Sequence, residues 1–269
     1  PLHKLIGGAH RKQVKAYGYG MMLKQQSVDD HVARFKDEAA AIIEMGFTAT
    51  KMKVGLGARD DIRLCEAVAE GSGEADFMVD ANHCYATPDA FYVGRALEEL
   101  GAYWFEEPVA PEDLDGYREL RAGLRVNISG GEAEFNRWGW RQILENRGLD
   151  IAQPEVCAVG GVSEYLRVLA LCHAHFTPVI NHVWGSAIAV ATNLQLLAAM
   201  PALPGGLNPW EPLLEFDTTD NKFRDDLLTE PLNIQGQVKA QSGYVTIPDA
   251  PGIGVTPDPD FIAHYELSL

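Results

Sequence analysis

Six ionisable residues recur at almost constant intervals, each closing a short apolar run: Lys53, Asp80, Glu106, Glu132, Glu155 and His182 are separated by 27, 26, 26, 23 and 27 residues. The runs they close are "FTATKMKV", "DFMVD", "AYWFE", "VNISGGE", "DIAQPE" and "TPVINH". Each interval holds one strand, one helix and their connections, and repeated strand–helix units imply a parallel sheet. Helical spacing is clear in the first interval upstream. After the strand-like "VKAYGYGMML", Ser27 caps a helix whose apolar residues Val32, Phe35, Ala39, Ile42 and Ile43 run to Gly46. With about eight such strands and no compositional break before residue 220, residues 1–220 read as one closed α/β barrel rather than two doubly wound halves. The remainder, 221–269, lacks helical period and reads as loops and short strands outside the barrel.

The totals exclude several partners. A formal charge of −16 with no basic stretch argues against nucleic acid. The longest apolar run, 187–204, contains Thr192, Asn193, Gln195 and a proline, which favours a buried helix over a membrane span. Cys65, Cys84, Cys157 and Cys172 are widely spaced, as expected of reduced thiols in a cytoplasmic protein, and nothing at the start of the chain has the form of an export signal.

In a parallel barrel the C-terminal ends of all strands open on one face, where active sites sit, so the six evenly spaced residues are expected to converge there. A lone carboxylate at a strand end is more often merely solvated. Three carboxylates in one mouth, Asp80, Glu106 and Glu132, repel one another unless a cation lies between them, and an all-oxygen set selects Mg²⁺ over zinc. Within "YWFEEP", neighbouring Glu106 and Glu107 point to opposite faces, so only one can serve such a site. Lys51 and Lys53 share a strand face. Beside a divalent cation each is expected to lose some affinity for its proton, so that one takes a proton while the other holds an anionic oxygen. Of the eight histidines, only His182 ends a strand, with Glu155 placed to accept from its ring and set its tautomer.

The ordered set K-x-K (Lys51, Lys53), D-x-N (Asp80, Asn82), E-E-P (Glu106, Glu107, Pro108), G-G-E ending at Glu132, Q-P-x-V from Gln153, G-G and the strand-ending His182 resembles the mandelate racemase subgroup of the enolase superfamily. The resemblance runs from "LIGGAHRKQV" to "IPDAPGIGV", nearly the whole chain. It implies a (β/α)7β TIM-like barrel, with the family's N-terminal α+β capping domain absent from this chain and residues 221–269 placed to pack against it. It further implies Mg²⁺ held by Asp80, Glu106 and Glu132, with Lys53 and His182 as the acid/base pair. Glu155 pairs with His182 where the subgroup usually has aspartate. Lys51 looks like the contact to a substrate carboxylate, Asn82 like a hydrogen-bonder of substrate or metal surroundings, and Glu215, with Glu211 competing, like the group that meets the far substrate oxygen. Glu106 is then the metal-facing member of its pair, and Glu107 turns away into supporting hydrogen bonds. A homo-oligomer is expected.

The chemistry so implied is removal of the proton α to a carboxylate on a small anionic substrate. If a β-hydroxyl then leaves as water, the protein is an acid-sugar dehydratase. Return of the proton to the opposite face gives a racemase or epimerase, and a barrel that only holds its metal without turnover is the third alternative.

Overall fold

The computed structural model describes residues 1–202 and 210–266. After a short helix α1 (Leu2–Ile6), strands and helices alternate: β1 (Gln13–Tyr19), α2 (Val28–Glu44), β2 (Ala49–Lys53), α3 (Ala58–Ser72), β3 (Asp76–Asp80), α4 (Thr87–Leu100), β4 (Trp104–Glu106), α5 (Leu114–Gly123), β5 (Asn127–Gly130), α6 (Asn136–Glu145), β6 (Ile151–Ala152) and α7 (Val162–Ala174). A segment around 179–182 follows, then α8 (Ala187–Ala199) and β7 (Leu213–Asp217). Each of β1 to β6 is parallel to its neighbour, and β7 returns to pair with β1. The 179–182 segment continues the ring beyond β6 through two parallel bridges, Ala152↔Val179 and Glu155↔His182.

A closed sheet must fill its own interior. Tyr17, Ala49, Met78, Trp104, Ile151 and Ile180, drawn from five strands and the bridging segment, form one inner cluster, separate from the larger core between sheet and helices. Such a cluster requires the sheet to curl until its two ends face each other. The fold is therefore the parallel α/β barrel that the strand–helix alternation implies.

The helices follow from simple chemistry. In α2 the Ser27 hydroxyl accepts from Asp30 N–H, Asp29 and Asp30 sit at the positive end of the helix dipole, and His31, Phe35, Ala39 and Ile42 bury one stripe. Gly46 then turns the chain at φ 103, and a Cβ there would lie 2.7 Å from Lys239 Cα, so the helix stop is fixed by glycine. Helix α8 is buried almost all round, which accounts for the apolar run that begins at residue 187. The final residues of that run, 203–204, lie outside the described residues, as do 267–269. Among the described residues, no helix is long and apolar enough to cross a membrane.

The tail differs from its sequence reading. Among the described residues it holds three short helices, α9 (Lys222–Asp225), α10 (Ile234–Ala240) and α11 (Pro259–His264), beside one strand, β8 (Tyr244–Thr246), which joins the sheet antiparallel to β1. Helices of four to seven residues are too short to display a period. They are held by local caps, Asn221 accepting from Phe223 N–H and Asp258 accepting from Asp260 and Phe261 N–H, and by the buried pair Ile234 and Val238 of α10.

Candidate metal and acid/base site

Cross-strand register builds the mouth. Lys53, Asp80 and Glu106 are successive Cα partners across β2, β3 and β4, so one row of the sheet delivers all three to the same height and face. The row continues on β5 with Ser129, not with Glu132. Glu132 comes back to the mouth through Gly131, whose φ of 114 suits glycine and whose added Cβ would lie 2.3 Å from the Trp140 ring. The even 26-residue spacing to Glu132 is therefore partly coincidental, a strand end plus a tight turn.

Asp80, Glu106 and Glu132 each offer an oxygen within 4.8 Å of the others. Burial raises the Asp80 carboxyl, and Glu106 adds to the rise against the pull of Lys51 and Lys53. Burial also raises Glu132; His182 opposes, and Glu106 and Asp80 reinforce. Glu132 Oε2 is buried and accepts no hydrogen bond. Asp80 and Glu106 are buried and Glu132 partly so, the nearest cationic group to Glu132 Oε2 being His182 Nε2 at 3.1 Å; three converging carboxylates in one mouth fit a divalent cation, and donors that are all oxygen match a hard ion.

The two lysines differ. Lys51 is 1% exposed, with Nζ 2.5 Å from Glu215 Oε1 and 2.8 Å and 3.0 Å from the two oxygens of Glu106. Burial favours loss of its proton, but Glu106, Glu215 and Asp80 prevail and hold the ammonium well above its ordinary value. Lys53, two residues on and partly open to the mouth, lies 2.5 Å from Asp80 Oδ2.

His182 stands between two carboxylates. Nδ1 is 2.9 Å from Glu155 Oε2, and Nε2 is 3.1 Å from Glu132 Oε2. Burial works against its charge, but Glu215, the Glu155 hydrogen bond and Glu132 push the imidazole up to about 9. Glu155 reaches the ring despite its extra methylene; its other oxygen accepts from Cys157 N–H. Lys53 and His182 therefore flank the carboxylate trio from its Asp80 end and its Glu132 end.

The remaining candidates divide. Asn82 is exposed at the mouth with φ 39, its N–H donating to Asp80 Oδ1. Glu215 is buried with both oxygens engaged, Oε1 by Lys51 and Oε2 by Val183 N–H, so in this structure it anchors Lys51 and the 182–183 backbone. Glu211 is exposed and accepts from the Tyr244 hydroxyl. Glu106 closes β4 with Lys51 on both its oxygens, while Glu107 lies just past the strand end with φ 41, and the supporting hydrogen bonds expected of it are missing. It is 1% exposed, neither oxygen has a hydrogen-bond partner, and burial with nearby Glu132, Glu106 and Asp80 raises its carboxyl to about 9. His83 Nε2 lies 3.2 Å away. Two residues without a candidate role in the sequence reading touch the site: Trp104 and Gln153 both donate to Glu106. Trp104 was legible in principle, since a residue two before Glu106 on a strand shares its face.

A parallel barrel whose mouth joins three carboxylates to a lysine and a histidine defines an enzyme of the enolase type. The chain belongs to the family described as enolase C-terminal domain-like, which matches residues 34–261. It is 39% identical over 267 residues to the D-galactarolactone cycloisomerase of Agrobacterium fabrum, covering 98% of this chain and 68% of that one. Against the arabinonate dehydratase of Saccharolobus solfataricus the identity is 33% over 258 residues, covering 95% and 64%. Among solved structures it is similar to the L-talarate/galactarate dehydratase from Salmonella typhimurium, with a TM-score of 0.81 at 29% identity, covering 99% and 61%, and equally to an L-talarate/galactarate dehydratase mutant liganded with Mg and L-glucarate. The chain spans 58–68% of the length of the curated relatives it matches.

Proposed function

We propose that this protein removes the proton α to the carboxylate of a small acid sugar and expels the β-hydroxyl as water, giving a 2-keto-3-deoxy acid. The observation that carries the reading is the placement of Lys53 and His182 at opposite ends of the carboxylate trio. Dehydratases of acid sugars among the relatives support it. Asp80, Glu106 and Glu132 would hold Mg²⁺, which supplies positive charge beside the substrate carboxylate as the α-carbon loses its proton. Lys53 takes that proton. Lys51, kept charged by its neighbours, adds a second fixed positive charge beneath the site, and the electrostatic cost of the dianion falls because both charges are in place beforehand. His182, oriented by Glu155, gives a proton to the departing β-oxygen, so the C–O bond breaks with release of water and the resulting enol tautomerises to the keto acid. Asn82 stands at the rim as a contact for substrate hydroxyls. We place the catalytic barrel in residues 1–220, with 221–269 as a segment facing a capping domain, and expect a cytoplasmic homo-oligomer.

A second reading is favoured by the 39% identical cycloisomerase: the same α-proton removal, with a ring oxygen as the leaving group of a sugar lactone. The protein, supplied with Mg²⁺, is to be incubated with a panel of aldonates, aldarates and their lactones. Formation of a 2-keto acid with loss of one water supports the dehydratase, and an isomer of unchanged mass supports the cycloisomerase. Recovered acid carrying solvent deuterium at the α-carbon, without dehydration, would instead mark a racemase. Lys53→Ala and His182→Asn are each expected to lower turnover at least about a hundredfold. Silence of the wild type across the panel would sink all three.

A further inference from the structure

The two oxygens of Glu106 are not equivalent. Oε2 accepts three hydrogen bonds, from Gln153 Nε2 at 2.8 Å, Trp104 Nε1 at 2.9 Å and Lys51 Nζ at 3.0 Å. Oε1 accepts one, from Lys51 at 2.8 Å. A carboxylate oxygen has about two lone-pair directions, so Oε2 is saturated while Oε1 keeps room for a further partner. Every residue in the cluster is at most 1% exposed, so water does not compete for these contacts. The Gln153 amide must turn its nitrogen to Glu106, since a carboxylate only accepts. Its own oxygen is buried with no partner, which leaves Glu106 as its one side-chain contact.

We infer that Gln153 and Trp104 are positioning residues for metal selectivity: by occupying Oε2 they confine Glu106 to one-oxygen coordination, favouring Mg²⁺ over Ca²⁺. Mg²⁺ takes six ligands at short range and keeps several waters, whereas Ca²⁺ takes six to eight and readily accepts both oxygens of a carboxylate. Freeing Oε2 opens the bidentate mode that only the larger ion exploits. Outer hydrogen-bond partners commonly shift metal affinity by about 10–100-fold.

This rests on reading Asp80, Glu106 and Glu132 as a divalent-cation site, and the test separates the two. Mg²⁺ and Ca²⁺ affinities are measured by calorimetry, without substrate, on wild type, Gln153→Met and Trp104→Phe; the first keeps chain length without a donor, the second keeps a ring without the indole N–H. Thermal midpoints in EDTA report that each variant is folded. Wild type is expected to favour Mg²⁺, and each variant to raise the Ca²⁺/Mg²⁺ affinity ratio by about tenfold, an effect that loss of packing alone does not produce. Should the Trp104 variant fail to fold, Gln153→Met decides, because it replaces a buried side chain by one of the same length and changes only its polar tip. Wild type binding neither ion overturns the cation site and the inference together. Wild type binding Mg²⁺ with an unchanged ratio in a folded variant overturns the selectivity role alone.

Discussion

Asp61 shows how a single carboxylate shapes the mouth without belonging to the acid/base constellation. It is fully buried in the first turn of α3, and its oxygens accept from Gly55, Leu56 and Gly57 N–H at 2.9–3.0 Å and from the Tyr85 hydroxyl at 2.7 Å. These bonds tie down the loop that leaves β2 immediately after Lys53. Replacing Asp61 by alanine removes the acceptor of three amides on an exposed loop and of the buried Tyr85 hydroxyl, so Asp61→Ala is expected to lower stability by about 2 kcal/mol, with Asp61→Asn losing less because one acceptor remains. Urea unfolding with an unchanged slope checks this. The residue scale also shows what the sequence hides. Asp80 and Glu106 are readable because they close strands whose partners close at the same height. Glu107 is not: its lack of hydrogen-bond partners arises from neighbours brought together by folding, which strand alternation alone does not reveal.

At the scale of elements, α6 and α7 are joined by Glu164, which accepts from Arg137 at its main-chain N–H, Nε and Nη2 and from Arg167 Nη1. The Arg137 side-chain hydrogen bonds, then its backbone bond, hold this carboxyl at about 2. A carboxyl depressed in the folded state contributes stability above its ordinary value, lost as the pH falls from there toward about 2. In Arg137→Ala the Glu164 carboxyl should titrate higher than in wild type by NMR, though still below its ordinary value because the residue-137 amide and Arg167 remain, and the acid-side stability it contributes should be smaller; an unmoved titration would show that the Arg137 side chain does not set it. Long helices were legible because caps and stripes coincide, as in α2 with Ser27 and Phe35. The bridging segment at 179–182 was legible as apolar "TPVINH", but its pairing through two isolated bridges was not, because bridging depends on where β6 delivers Ala152 and Glu155.

Across the whole molecule, a formal charge of −16 coexists with a mouth that, on the proposed function, would receive an anion. On that reading, two lysines and a divalent ion would reverse the local sign, which would link metal binding to folding. A cation that binds only the folded state adds about 2.7 kcal/mol at a hundred times its dissociation constant. Thermal unfolding should therefore shift upward with added Mg²⁺, and the shift should vanish in Asp80→Asn and Glu132→Gln. A shift that persists in both variants would place the ion elsewhere. The barrel as a whole was readable from periodic strand ends; the closure of its inner cluster was not, because Tyr17 and Ile180 lie far apart in sequence and meet only when the ring is complete.

The contact between Gly131 and the Trp140 ring means that a helix outside the barrel acts as a backstop for an acid inside it. Remodelling the outer wall, with no change to any group that meets substrate, offers a remote lever on where the third carboxylate rests.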